Sequence, residues 1–245
     1  MTSNRTLGIR VFVRSFYRNP MNVVLLVVIP PLVIQGYGIA MEAVPASLLD
    51  DRSPVQLGQV NGAMFATAFL TGLFGLFQVI GAYDADRRLV IAGFPKLDLL
   101  ATRLATVIGV SAFIATVSFV VFSQFNPPES TLLTFGGLVL AGFTYGLIGV
   151  LIGSILPGEL EGSLALVFVA DSDTIFASGL VDWGSILPQF FPLYHSHHVL
   201  EAAAFDGTVE SDHLLMAVLY VLVLLVAATV VFSRAMSEGS GGVLQ

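Results

Sequence analysis

Blocks of about 20 apolar residues alternate with short polar stretches along the chain. A helix that crosses a bilayer needs about 20 mainly apolar residues, so each block is long enough to span a membrane. The pattern predicts an all-α, polytopic membrane protein that forms one transmembrane domain over residues 1–245. The six predicted spans are residues 21–41, 59–82, 98–122, 131–155, 163–181 and 213–232.

The residues before the first block predict an amphipathic helix over residues 4–18. Its apolar positions, Ile9, Phe12, Val13 and Phe16, follow the helical repeat, and arginines recur at every fourth position. Such a helix lies in the headgroup layer, and its arginines reach towards lipid phosphates. The alternative is the basic start of a signal peptide. It is disfavoured because the next apolar run is too long and no A-x-A cleavage site follows.

The composition agrees with membrane insertion and limits the kinds of site and partner that the chain can have. The chain is 56% hydrophobic and only 11% charged, whereas about 25% of the residues of a soluble domain are charged. The net charge of −7, with Lys96 as the only lysine, fits a protein that faces high salt, such as one from a halophilic archaeon. The absence of cysteine excludes disulfides and thiolate metal sites. The acidic composition provides no basic surface suited to nucleic acid, which argues against that class of partner.

Basic residues predict the orientation, because cytoplasmic loops carry an excess of lysine and arginine. With the N-terminus inside, nine of the ten basic residues fall on the cytoplasmic side, and only Arg52 lies outside. Both termini of this cell-membrane protein are therefore expected in the cytoplasm, and residues 182–212 are expected outside. The nine cytoplasmic residues are Arg5, Arg10, Arg14, Arg18, Arg87, Arg88, Lys96, Arg103 and Arg234.

The polar segment between the second and third spans, residues 83–97, predicts a short helix lying across the membrane face. Acidic residues open it, where the helix dipole favours negative charge. Gly93 suits the position just after a helix end, Pro95 stops the helix, and Asp98 is expected to cap the third span.

Two interpretations of this segment stay open. It is a docking element for a partner protein, or it is a tight loop whose charges are simply solvated. Helical spacing would give Val90, Phe94 and Leu97 one shared apolar side, ringed by charges. The candidate docking residues are Asp84, Asp86, Arg87, Arg88, Val90, Phe94 and Lys96.

Several features, taken in order, carry a resemblance to a known family. A predicted amphipathic helix ends at Arg18-Asn19-Pro20, before a first span that contains Pro30 and Pro31. An acid-rich loop reaches Pro95, and Arg103 lies near the start of the third span. The motifs Phe176-Ala177-Ser178-Gly179, Leu187-Pro188 and Phe191-Pro192-Leu193-Tyr194-His195 follow. In this order, over nearly the whole chain, they resemble the membrane subunits, or permeases, of ABC type-2 transporters.

The resemblance implies an exporter subunit that is not itself an enzyme. The segment 84–96 would be a coupling helix seated in a cleft of a separate ATPase subunit, and residues 183–205 would form short outer helices. The permease would pair with a second copy or a homologous chain, and ATP and magnesium would bind to the ATPase. The sequence agrees on one point: Lys96 lies in no G-x-x-x-x-G-K-S/T motif, so this chain lacks a P-loop.

The acidic pair Asp171 and Asp173 departs from the apolar fifth span expected of that family. The pair lines a transport pathway, or span five is broken and both acids lie in an interfacial turn. On a helix the two side chains point about 200° apart, which disfavours a catalytic carboxylate pair. A membrane-embedded enzyme and an ion-coupled secondary transporter are the alternative functions.

Two further features receive a structural interpretation. His195, His197, His198, Glu201, Asp206 and His213 include possible metal ligands, but their spacing matches no strong metal motif, so no metal site is predicted. The glycine pairs 142/146 and 149/153 allow close helix packing, and packing within the chain is favoured over a dimer interface.

Overall fold

The computed structural model describes residues 20–45, 53–156, 158–177 and 187–238. Within these ranges the chain forms seven α-helices and one short 3-10 turn, and no β-strand. The predicted all-α fold is therefore confirmed for this part of the chain, and the helix predicted over residues 4–18 lies outside it. The helices are α1 (Pro20–Met41), α2 (Pro54–Ile91), α3 (Lys96–Phe125), α4 (Thr131–Ile155), α5 (Glu159–Ala177), α6 (Pro192–Phe205) and α7 (Ser211–Glu238), with the 3-10 turn at Leu187–Phe190.

Four of the described helices, α2, α3, α4 and α7, are long and apolar enough to cross a membrane. This indicates a membrane protein. The apolar part described for α1, Leu26–Met41, is shorter. Helix α5 has 19 residues and four acids among them, so its composition is less apolar. The count of six spans stays a prediction.

The predicted span boundaries agree with the helices to different degrees. Helix α4 begins and ends at the residues predicted for the fourth span. Helix α2 extends nine residues past the predicted end of the second span, to Ile91, and α7 continues to Glu238. The helices are longer than the predicted spans where charged residues continue a helix beyond its apolar part. Hydropathy predicts which residues can lie in lipid, and it does not predict where a helix ends.

Helices α2 and α4 form the centre of the molecule. Of their apolar parts, 67% and 61% of the residues are buried, against 11% for α7, which lies at the periphery. Their backbones meet at glycines: a Cβ added at Gly149 would overlap the carbonyl oxygen of Gly72, and one at Gly75 would overlap the carbonyl of Gly146. Gly153 likewise faces the backbone of Leu76. The prediction that these glycines serve packing within the chain is confirmed.

Helix α1 packs against α2 in the same manner. It remains helical through Pro30 and Pro31, and Ile34 in the next turn is fully buried. A Cβ at Gly62 of α2 would lie only 2.8 Å from the Cα of Ile34. Small residues therefore set the distance between helices on both sides of α2, which is how helices associate in lipid.

The glycine contact yields a first prediction. Replacing Gly149 with alanine should push α4 away from the backbone of Gly72, and overpacking of this kind costs about 1–3 kcal/mol. We expect a lower midpoint of thermal unfolding in detergent, by about 2–4 °C for each kcal/mol in a chain of this length.

Gly136→Ala is the matched control, since it lies on the same helix and a Cβ there meets nothing within 4 Å. Alanine has the higher helix propensity, so this variant should unfold at the wild-type temperature or slightly above it. A Gly149→Ala protein as stable as Gly136→Ala would show that the two backbones are not in close contact.

Candidate functional site

The predicted docking residues lie at the end of α2 and the turn that follows it. Helix α2 has 38 residues, a length of about 57 Å against a hydrocarbon core about 30 Å thick. Tyr83–Ile91 continue this helix, so the prediction of a separate short helix across the membrane face was wrong. The apolar part of α2 ends near Ala82, and the nine residues from Tyr83 extend it by roughly 13 Å.

A tight turn joins α2 to α3. The amide N–H of Phe94 donates to the carbonyl of Leu89 at 2.9 Å, and that of Gly93 donates to the carbonyl of Val90 at 3.0 Å. This pair of bonds is the Schellman motif, which needs a left-handed residue after the helix end. Gly93 supplies it with φ of +90°, as predicted. Asp98, predicted to be the cap of the third span, instead lies in the first turn of α3, which begins at Lys96.

An ion pair braces the two helices just below this turn. The guanidinium of Arg103 donates from Nη2 to Oδ1 of Asp86 at 2.8 Å and from Nε to Oδ2 at 3.2 Å. The two side chains are 17% and 3% exposed. Two parallel bonds to one carboxylate are the strongest geometry for such a pair. Asp86, predicted to be a surface docking residue, is therefore a structural residue inside the hairpin.

The surface of the hairpin tip, defined here as residues 84–97, differs from the predicted one. Val90 and Phe94 are half-buried and pack against the cluster that contains Phe232 and Met236 of α7. The exposed apolar side chains are instead Leu89, Ile91 and Leu97, at 44%, 61% and 62% exposure. The difference arises because α2 continues without a break, so the helical phase of residues 83–91 is set by α2.

The hairpin tip also carries charged residues. Asp84 and Arg88 are exposed, and Arg87 and Lys96 are half-buried. A cleft of about 390 Å³ opens beside Asp84, between the ends of α2 and α4. The tip therefore combines apolar and charged groups at the end of a helix that is too long for the membrane, which is a composition suited to a protein partner.

The second predicted site, the acidic pair in span five, separates into two different residues. Both acids lie within α5, so neither is in a turn, and they face opposite ways as predicted. Asp173 is fully buried, whereas Asp171 is exposed.

Asp173 fastens α6 to the rest of the protein. Its Oδ2 accepts a hydrogen bond from the hydroxyl of Tyr145 at 2.7 Å, and both of its oxygens lie 3.1 Å from the N–H of Leu193. Leu193 follows Pro192 in the first turn of α6, where backbone N–H groups have no partner within the helix. A carboxylate from α5 thus caps α6, and Asp173 connects α4, α5 and α6.

The histidines of residues 195–213 gather at α6 and the start of α7. Ligand atoms of His197, His198 and Glu201 lie within 4.8 Å of one another. His195 and His213 form a separate pair, with their Nδ1 atoms 3.0 Å apart. The sequence contained these residues, but the grouping depends on α6 being a helix that packs against α7.

Arg103 and Tyr145 are the residues that sequence reasoning missed. Arg103 was noted only as a basic residue near the start of a span, and Tyr145 was not singled out. A buried arginine or tyrosine hydroxyl in an apolar helix needs a polar partner, so their presence was a signal. The partner itself cannot be found from spacing, because it lies on another helix.

Comparisons with known proteins add no assignment. No family model matches the chain, and no curated protein matches it significantly. The resemblance to ABC type-2 permeases therefore stays an expectation from the residues described above.

The ion pair yields a second prediction. Arg103→Met would leave the buried carboxylate of Asp86 without its charged partner, and breaking such a pair costs about 3–5 kcal/mol when the pair is fully buried. We expect a marked loss of thermal stability in detergent.

Arg88→Met is the control, because Arg88 is an exposed arginine at the same helix end. It should change the free energy of unfolding by no more than about 0.5 kcal/mol. Adding Asp86→Leu to Arg103→Met should recover much of the loss, since the unpaired charge is then removed. Equal stability of Arg103→Met and Arg88→Met would contradict the bracing role.

The acidic pair yields a third prediction. Asp173→Leu removes the acceptor of both the Tyr145 hydroxyl and the Leu193 N–H, at about 1–3 kcal/mol for each buried group left unsatisfied. Asp171→Leu, the same substitution at an exposed position of the same helix, should leave stability nearly unchanged. The midpoints of thermal unfolding of the two variants distinguish the structural Asp173 from the exposed Asp171. A larger loss of stability in Asp171→Leu than in Asp173→Leu would contradict this assignment.

Proposed function

We propose that this chain is the membrane-spanning permease subunit of an ATP-driven transporter of the ABC type-2 class. It is proposed to act as an exporter that docks its ATPase through the hairpin tip. The hairpin tip is the observation that carries the proposal. It stands at the end of a helix longer than the bilayer, and it exposes Leu89, Ile91 and Leu97 next to Arg88.

The tip is built to transmit force. The paired bonds between Arg103 and Asp86 connect α3 to α2, and Val90 and Phe94 pack against a cluster that includes Phe232 of α7. A push on the tip would therefore move three helices together. Helix α2 also forms the closest contact with α4, so a displacement would reach the centre of the molecule. Rigid-body motion of this kind is how transporters alternate between access states.

The charges of the tip support a cytoplasmic position. Arg87, Arg88 and Lys96 lie within ten residues, and basic loops remain in the cytoplasm during insertion. Nucleotide and magnesium would belong to the partner, because this chain has no P-loop motif. The chain itself would contribute the pathway and the docking surface.

A second permease, identical or homologous, is part of the proposal, and Asp171 supports it. This carboxylate is exposed on α5, close enough to Tyr37 of α1 to interact with it electrostatically. An acidic side chain within a membrane span rarely faces lipid and usually faces a water-filled path or another chain. We propose that the α5 face with Asp171 lines the pathway between two permeases.

The experiment measures ATP hydrolysis that co-purifies with this chain. The tagged chain is extracted from its native membranes in mild detergent, and MgATP hydrolysis in the eluate is measured with and without vanadate. We expect vanadate-sensitive hydrolysis with the wild-type chain. The double variant Arg88→Glu/Ile91→Asp should lower it by roughly tenfold or more, because it reverses charge and polarity at the centre of the docking surface.

Arg234→Glu is the matched control: it is the same charge reversal at an exposed arginine near the end of α7, on the same predicted side of the membrane. It should retain the hydrolysis. The proposal fails if the wild-type chain carries no ATP-hydrolysing partner. Docking at the tip fails if Arg234→Glu loses as much activity as the double variant.

A further inference from the structure

Helix α6 presents a second group of functional side chains, unrelated to the hairpin tip. It is a helix of 14 residues that packs against α4, α5 and α7. Three of its residues are histidines, and His213 at the start of α7 lies beside them. The cap by Asp173 fixes where this helix begins, so the positions of its side chains are well defined.

Three residues of α6 converge on one point. Glu201 lies four residues after His197 and three after His198, which are the spacings of neighbours on one helix face. One ligand atom from each of the three lies within 4.8 Å of the others. An ion placed among them would be within reach of two imidazole nitrogens and one carboxylate oxygen.

His197 is the most unusual of the three. It is only 2% exposed, and neither of its ring nitrogens has a hydrogen-bond partner. Its Nδ1 lies 3.7 Å from a carboxylate oxygen of Glu201, which is too far for a hydrogen bond. Nε2 of His198 is likewise buried without a partner. Buried polar atoms are almost always bonded in native proteins, and each exception needs an explanation.

Burial disfavours the charged form of both histidines. Burial lowers the pKa of His197 to about 4. Burial, together with His197 and His213, lowers the pKa of His198 to about 4.

The other two histidines, His195 and His213, are hydrogen-bond partners of each other. With their Nδ1 atoms 3.0 Å apart, His195 and His213 form a hydrogen bond in which one ring donates. Nε2 of His213 also lies 3.5 Å from Glu210. The ring of Tyr194 packs edge-on against His195 and His198, and the rings of His198 and His213 lie 4.5 Å apart, so the pair is in contact with the group of three.

We propose that His197, His198 and Glu201 bind one divalent transition-metal ion, of the class that includes Zn²⁺. Two imidazoles and one carboxylate suit Zn²⁺, Cu²⁺, Ni²⁺ and Fe²⁺, whereas Ca²⁺ and Mg²⁺ prefer oxygen ligands alone. Three protein ligands leave at least one position for water or for an incoming group.

The burial of the three ligands agrees with a site that a metal ion can enter from the surface. His197 anchors it from within the protein, and His198 is half-buried. The side chain of Glu201 is 22% exposed, so an ion can reach the site from the surface. The metal bond would supply a partner for one buried ring nitrogen of each histidine.

The test uses zinc alone and the full chain in detergent, purified through a tag that contains no histidine. Protein stripped with EDTA is equilibrated with ZnCl₂, desalted and measured by mass spectrometry of metals. We expect about one zinc ion per chain. His197→Ala and Glu201→Gln should each weaken binding by about tenfold or more, since even changes outside the ligand shell cost about 10–100-fold.

His195→Ala is the matched control, because it removes a histidine of the same helix that lies outside the three ligands. It should bind zinc as the wild type does. Circular dichroism and gel filtration check that each variant is folded. If His197→Ala does not fold, the partly exposed Glu201→Gln variant still decides the question.

Cobalt gives a second readout. Co²⁺ bound to the three ligands should absorb visible light strongly, as low-coordinate cobalt does, and this absorption should be lost in Glu201→Gln and kept in His195→Ala. The proposal is wrong if the wild type binds no stoichiometric zinc. It is also wrong if His195→Ala weakens binding as much as Glu201→Gln does.

Discussion

Two helices in lipid cannot be held together by hiding apolar side chains from water, because the lipid tails are as apolar as the side chains. The contact must come from close packing, and α2 and α4 achieve it by removing side chains altogether. Gly72, Gly75 and Gly149 let backbone atoms of one helix lie against those of the other. Dispersion between backbones at this distance replaces the hydrophobic effect. The peripheral helices are placed by the surfaces that this central pair leaves available.

Buried polar groups then fix the positions of helices that pack around the central pair. Asp86 and Arg103 set the register of α2 against α3 at one end of the molecule. Asp173 sets where α6 begins, through Tyr145 and the N–H of Leu193. Both carboxylates are buried, and a buried charge is tolerated only with partners in place. Each of them therefore selects one arrangement of helices out of several that apolar packing alone would permit. These two contacts hold the hairpin tip and the histidines of α6 where they are.

Much of the fold could be predicted from the chain because its signals are local. The bounds of α4, the left-handed Gly93 and the opposite orientation of Asp171 and Asp173 all follow from neighbours a few residues away. The errors about which side chains are exposed at the hairpin tip share one cause. Continuation of α2 through residues 83–91 buried Asp86, Val90 and Phe94 and exposed other residues instead. A charged segment after an apolar block predicts the end of the apolar part, but the helix itself continues to Ile91.

The sequence by itself determined that the chain is helical, where its apolar blocks lie and that it has no P-loop, because composition and spacing within one segment decide these properties. The tertiary structure alone decided which charges are structural and which are exposed. Arg103 is 17 residues from Asp86, and Tyr145 is 28 residues from Asp173. It also placed His195 of α6 beside His213 of α7. The physical reason is that the free energy of a buried polar group depends on its partners, and here these lie on other helices.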